Sequence, residues 1–300
     1  MPAFEPLLLL PQGGLGNQLF QVVLASTLAE RFGRPLEVDP VLLRSRLRRL
    51  RGVTPRNLSP LLRQLLPEAC PTPWHRRAGA RLAARRCGPG GGWLLTDAAL
   101  ARAAAEGNLL EGLGAIRLLR THATHPVLYT PPFEAAWRAV AAALKPMEGA
   151  AEPPIFALHA RRGDYLHPRS GFFPLQASYY RRALATLQGH PAIAARRGLT
   201  DGGRPPVLHV FSDDPAWCHS QLGGTGWELR LEEGSPETDL ARLASAHTLV
   251  LSNSSFSAVA GHLARLRDPT SLVLCPDRWL LKEDGRLGDL RSPDWQTVEV

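Results

Sequence analysis

The sequence is poor in cysteine, and that scarcity narrows its reading. Cys70, Cys87, Cys218 and Cys275 lie far apart with no C-x-x-C pair, which argues against a disulfide framework or a zinc site and for a reducing, cytoplasmic compartment. No long apolar run occurs near the start. Leu7–Leu10 has no basic residue before it and stops at Pro11, too short for a signal peptide or a transmembrane helix, so it reads as a first buried strand. No D-x-D is present, and His122 and His125 have no carboxylate or thiol at ligand spacing. No metal site is therefore expected, and the two histidines read as ordinary polar residues.

Lysine is rarer still. The chain has 35 basic against 27 acidic residues, a net charge of +8 and a sequence pI near 10.0, yet only Lys145 and Lys282 are lysines. The other basic residues are arginines, suited to planar, bidentate recognition of phosphate, although a GC-rich coding sequence favours arginine too. Nucleic acid, an anionic membrane surface and a nucleotide-sugar all fit such a balance. Between Val41 and Arg86, leucines at helical spacing (Leu43, Leu47, Leu50) alternate with Arg44, Arg48 and Arg51, as in basic amphipathic helices. Base stacking needs interleaved aromatics, and Trp74 is the only one in that interval, so no nucleic-acid partner is expected. Peripheral contact of these helices with an anionic membrane stays open.

With 300 residues, 44% of them hydrophobic, the chain can bury one large core or two of ordinary size. Leu7–Leu10, a glycine turn and the apolar stretch Leu19–Arg31 form a strand–turn–helix start typical of an α/β domain. Cys87–Gly92 is a loop and Lys145–Pro154 a linker, which divides the chain into residues 1–148 and 149–300, the last helix being free to return to the first domain. Beyond the linker, apolar strands Ile155–Leu158, Val207–Phe211 and Thr248–Leu251 each run into a polar cluster, with helices around Tyr179–Leu187 and Ala258–Arg267 and a further strand at Leu272–Cys275. In an open parallel sheet such strand ends line one ligand crevice.

Three of those ends carry chemistry. His159-Ala160-Arg161-Arg162-Gly163-Asp164-Tyr165 offers two guanidinium groups to a diphosphate, with Asp164 able to orient an arginine or accept a proton; a surface salt bridge at a turn fits the same residues. Ser252-Asn253-Ser254-Ser255-Phe256-Ser257 places hydroxyls and an amide where a helix begins, favourable for phosphate and more than an N-cap needs. Asp213 and Asp214 suit the donor edge of guanine, or simply start a helix. Near the N-terminus, Gly13–Gln18 lacks the last glycine of G-x-G-x-x-G, where Leu19 stands, and the lysine of a P-loop. It is another kind of glycine turn, with Asn17 and Gln18 presenting amides at the crevice or merely letting helix pack on strand.

In order along the chain, Gly13–Gln21, His159–Tyr165, Phe211–Asp214 with Trp217, and Ser252–Ser257 resemble the motifs of the alpha-1,2-fucosyltransferases of glycosyltransferase family 11. The resemblance runs from residue 13 to about 262, with nothing matched between Val41 and Thr130. It implies a GT-B type α/β fold, two Rossmann-like domains facing a central cleft, and inverting transfer of fucose from GDP-fucose to the 2-hydroxyl of a glycan acceptor, galactose in the family. It implies no cofactor and no metal. His159 would contact guanine and Arg161 the β-phosphate, with Arg162 beside it. Asp213 or Asp214 would accept from guanine, while Ser252, Asn253, Ser254, Ser255 and Phe256 would hold the diphosphate. Gly14, Gly16, Asn17 and Gln18 would close the cleft from the first domain, and Arg161 and Asp164 are the candidates for chemistry. Where the family continues Trp-Trp-Gly-Ala, this chain has Ala258-Val259-Ala260-Gly261, which would reshape the cleft wall. The retained residues hold the GDP portion, so another GDP-sugar, or a binding role without catalysis, stays open.

Overall fold

The computed structural model describes residues 5–43, 57–66, 70–71, 94–107, 109–144, 153–167, 170–190, 205–282 and 289–300. The basic helices expected around Leu47 and Leu50, the loop Cys87–Gly92 and the linker as far as Glu152 lie outside them. The described residues divide into two compact units, the first ending at Ala143 and the second beginning at Leu144. Among them no helix is long and apolar enough to cross a membrane.

The first unit holds a five-stranded parallel sheet, β1 (Leu7–Leu9), β2 (Leu36–Val38), β3 (Cys70–Pro71), β4 (Leu94–Leu95) and β5 (Leu118–Leu119), in the order β3-β2-β1-β5-β4. Helix α1 (Leu15–Arg31) follows β1 and is buried nearly all round, as an apolar helix inside an α/β layer must be. It starts at Leu15, earlier than the Leu19 suggested by composition, so Gly16, Asn17 and Gln18 form its first turn. Gly13 has φ +80°, and a Cβ there would lie 2.2 Å from Asn17 Nδ2; the turn accepts only glycine. The unit's longer helices besides α1 are, among the described residues, α2 (Pro60–Leu65), α3 (Asp97–Ala105) and α4 (Glu134–Ala143), and a single turn, Leu109–Gly112, follows α3. Phe20 of α1 meets Trp137 of α4 edge-on at 5.2 Å, and Trp137 donates its indole N–H to Leu128 O at 2.6 Å.

The second unit holds a six-stranded parallel sheet: β6 (Phe156–Ala160), β7 (Val207–Ser212), β8 (Glu228–Glu232), β9 (Thr248–Val250), β10 (Leu272–Pro276) and β11 (Gln296–Val298), ordered β11-β10-β9-β6-β7-β8. Counted within the unit this is 3-2-1-4-5-6, the Rossmann order. Helix α5 (Ala177–Gly189) packs Tyr179, Tyr180, Ala183, Leu184 and Leu187 on Phe156, Leu158 and Leu208, with α6 (Pro215–Leu222) beside it. The opposite face carries α7 (Pro236–Ser245) and α8 (Ser255–Arg267). Strands covered on both sides are apolar throughout, which is why β6 is buried at every residue. The α/β class and the two parallel sheets agree with the sequence reading. The last described strand, β11, is an edge strand paired with β10.

Candidate functional site

In an open sheet of this order, strands β6 and β9 diverge at the switch point, and ligands bind outside their carboxyl ends. The two strongest motifs leave the sheet there. His159, the second-to-last residue of β6, is 8% exposed. Its Nδ1 lies 3.0 Å from Ser252 Oγ and 2.6 Å from Ser257 Oγ, and its ring lies 5.0 Å from that of Phe256. Among the described residues no carboxylate bonds to it. Burial, and after it the charge of Arg161, pushes the imidazole down to about 3, so it is neutral. Its Nε2 is bonded to no described residue.

Ser254 is the N-cap of α8, its Oγ accepting from the Ser257 N–H at 3.1 Å, while Ser257 Oγ also accepts from the Ser252 N–H at 3.2 Å. Ser255 and Phe256, half-buried, head the helix. Their backbone N–H groups belong to the orphan donors of a helix start and carry its partial positive charge. Asn253 does something else. Its Nδ2 donates to Phe173 O at 2.8 Å and to Trp279 O at 2.9 Å, tying together two loops that also pair through Phe172 and Leu280. Its Oδ1 is buried with no described partner.

The arginines are held from behind. Arg161 Nη2 donates to Asp164 Oδ1 at 2.5 Å and Nη1 meets Asp213 Oδ2 at 2.9 Å. Burial works against its charge, but Asp213 and then Asp164 outweigh it and hold the pKa above the ordinary arginine value. Asp213 Oδ1 accepts from the Arg162 N–H at 2.9 Å. The Arg162 guanidinium stacks 3.6 Å over Trp217 and donates through Nε to Asp214 Oδ2 at 3.2 Å; its Nη1 is buried with no described partner. Asp214 Oδ1 caps α6 by accepting from the Trp217 N–H at 3.1 Å. Gly163 is required because a Cβ there would stand 2.6 Å from Asp213 Oδ2 and push that carboxylate off Arg161. Both aspartates thus face the arginine pair, where sequence alone assigned one of them to a guanine edge.

The N-terminal motif is in the first unit. Gln18 is buried, donating to Gly13 O at 3.1 Å and Asn57 O at 3.0 Å and accepting from the Ser59 N–H at 3.1 Å. Gln21 clamps the Gln12 backbone with two bonds of 2.9 Å. The amide of Gln18, read from sequence as facing a crevice, is therefore spent on shaping the glycine turn. Gly14, the N-cap of α1, contributes no side-chain cap, and Asn17 packs back on Gly13. Ala258 and Val259, at the positions where the resemblance would expect paired tryptophans, are fully buried. Trp217, singled out only as a follower of Asp214, proves to be the platform for Arg162. Among the described residues no group of His, Cys, Asp or Glu is placed to hold a metal.

No protein-family model matches the sequence, and no curated protein matches it. Solved structures are similar at low identity. The fucosyltransferase NodZ from Bradyrhizobium is 16% identical over 85% of this chain and 92% of its own, with a TM-score of 0.43. An Arabidopsis thaliana FUT1 variant in complex with GDP is 13% identical over 97% and 72%, with a TM-score of 0.42. The E. coli heptosyltransferase WaaC with ADP is 11% identical over 98% and 93%, with a TM-score of 0.45.

Proposed function

We propose that this chain is a GT-B type glycosyltransferase that moves fucose from GDP-fucose to a glycan hydroxyl, with inversion and without a metal, the 2-hydroxyl of galactose being the target that the motifs favour. The observation that carries this reading is the meeting of His159 with Ser252 and Ser257 at the switch point of a Rossmann-ordered sheet. It joins the H-x-R-R-G-D and S-N-S-S-F-S motifs into one site. A neutral imidazole, a fixed guanidinium pair and the start of α8 together suit a nucleoside diphosphate. As the bond from the sugar to the diphosphate breaks, negative charge grows on the departing oxygen. Arg161 and the α8 N-terminus can stabilise that charge from positions already set, the part a metal plays elsewhere. In this reading Asp164 and Asp213 position Arg161, and the serine hydroxyls and His159 Nε2 contact the nucleotide.

The test is GDP release from GDP-fucose in EDTA, with galactose-terminated acceptors. Acceptor-dependent release is expected, falling on the order of a hundredfold or more in Arg161→Ala, the loss typical of one transition-state donor. Thermal stabilisation by GDP, compared with UDP and CDP, reads nucleotide choice separately. Equal shifts with all three, or release unaffected by the loss of Arg161, would count against the proposal.

A further inference from the structure

Beside Arg161 the second unit carries an apolar surface that the diphosphate site does not use. Tyr165 ends the H-x-R-R-G-D-Y motif. Its ring stacks on that of Phe172, with centroids 4.1 Å apart and planes 11° from parallel, and Arg161 Cζ lies 5.6 Å from the Tyr165 centroid. Both rings are half-buried. Leu166, next in the chain, is 45% exposed and Leu281 is 40% exposed; among the described large apolar residues only Ile155 is comparably open.

The ring pair is held from two directions. After β6, the single turn Gly163–Leu166 closes through the Tyr165 N–H to Arg162 O at 2.8 Å. Ser170 Oγ then joins the two aromatic residues, donating to Tyr165 O at 3.2 Å and accepting from the Phe172 N–H at 3.3 Å. From the other side Phe172 bridges Leu280, the Leu281 N–H donates to Gly171 O at 3.0 Å, and Asn253, the residue before the N-cap of α8, fastens Phe173 O and Trp279 O. The carboxyl end of β6 and the start of α8 are the two halves of the proposed diphosphate site, so the rings keep a fixed place beside it. A surface set in advance loses little freedom when a ligand arrives.

We propose that the Tyr165–Phe172 pair, with the neighbouring Leu166 and Leu281, is the seat of the donor's sugar and selects a 6-deoxyhexose over its 6-hydroxylated counterpart. This rests on the transferase reading above, and all four residues belong to the second unit. The chemistry of a nucleotide-sugar supplies the ruler: the sugar hangs on the β-phosphate by one ester oxygen, so when that phosphate meets Arg161 the sugar lies among the groups immediately around the guanidinium, and Tyr165 is one of them. A pyranose has an apolar face of C–H groups, and a 6-deoxy sugar adds a methyl where others carry a hydroxymethyl. Against rings and leucines the methyl gains by leaving water, whereas a hydroxyl left there without a partner is costly.

The probes are GDP, GDP-L-fucose and GDP-L-galactose, the last two differing by a single oxygen on C6. Their dissociation constants are measured by calorimetry on the intact chain, in wild type, Phe172→Ser and Tyr165→Ser. Wild type is expected to hold the fucosyl nucleotide about tenfold tighter than the galactosyl one, a preference of the size that an apolar seat gives against an added hydroxyl. Each serine removes ring surface and offers that hydroxyl a partner, so the ratio should fall to about one. The ratio is taken within each protein, which cancels any change in the nucleotide site common to both ligands. GDP binding by wild type with no discrimination between the two sugars, or with neither sugar nucleotide bound, overturns the seat and leaves the nucleotide site standing. Undiminished discrimination in either variant that folds overturns it as well. A wild-type chain that binds no GDP removes the transferase reading, and the seat with it.

Discussion

A histidine buried among hydroxyls, with no carboxylate beside it, has to stay neutral, and that ties stability to pH. The unfolded His159 titrates near the ordinary value of about 6.5, whereas burial first and Arg161 second hold the folded imidazole at about 3. Between those values the unfolded chain binds more protons, so the contribution is constant above about 6.5 and stability falls as pH drops towards 3, by roughly 1.4 kcal/mol per pH unit. Asp239 acts with the opposite sign, since burial and then Glu232 raise its carboxyl to about 6. The difference between wild type and His159→Gln therefore isolates the effect. The variant is expected to be less stable at pH 7.5 but to lose about 2 kcal/mol less on going to pH 5, read from urea midpoints; parallel curves would show that His159 is not the group responsible. The short motifs around His159 and Arg161 were legible because their members are close in sequence. The duties of Gln18 and Asn253 were not, because their partners, Asn57 and Trp279 among them, are brought in by the fold.

At the scale of elements, burial decided what could be read. Strands β6, β7, β9 and β10 lie inside the sheet and show as apolar runs, while β8 (Glu-Leu-Arg-Leu-Glu) and β11 are its edges and carry polar residues instead, as edges commonly do. Among the two- and three-residue strands of the first unit only β1 shows, as the apolar run Leu7–Leu10; the others are too short to give a pattern. Helix α8 shows how closely an element is seated. A Cβ on Gly261 would stand 2.7 Å from Leu251 Cδ1, 3.0 Å from the Trp295 ring and 3.2 Å from Val273 Cγ1, all buried side chains. Gly261→Ala gains about 1 kcal/mol of helix propensity but overpacks the contact by ~1–3 kcal/mol. Because α8 also presents Ser254–Ser257, the variant is expected to lower the unfolding midpoint and weaken GDP binding together. A higher midpoint with unchanged GDP affinity would mean that the sheet yields locally and the helix start stays in place.

At the scale of the molecule, each unit has a parallel sheet whose carboxyl edge carries polar residues at a switch point, with different chemistry on each. The second unit presents cationic and helix-start groups, Arg161, Arg162 and Ser254–Phe256. The first presents the His122 imidazole, backed by the Asp97 carboxylate 3.0 Å from its Nδ1, beside a glycine turn. Under the proposed transferase reading an anionic donor would sit on the former and a neutral sugar hydroxyl on the latter, which hydrogen exchange can test in the intact chain. GDP at about a hundred times its dissociation constant adds roughly 2.7 kcal/mol to the opening of whatever binds it, about a hundredfold slower exchange for amides that exchange through that opening. Protection is expected in residues 159–164 and 252–257, and an acceptor glycan should instead protect 12–18 and 121–125. Nucleotide protection centred on 121–125 would put the donor on the first unit and reverse the assignment. Protection by GDP of the second unit alone, with the acceptor protecting the first, would match the two edges to the two substrates that their residues suit.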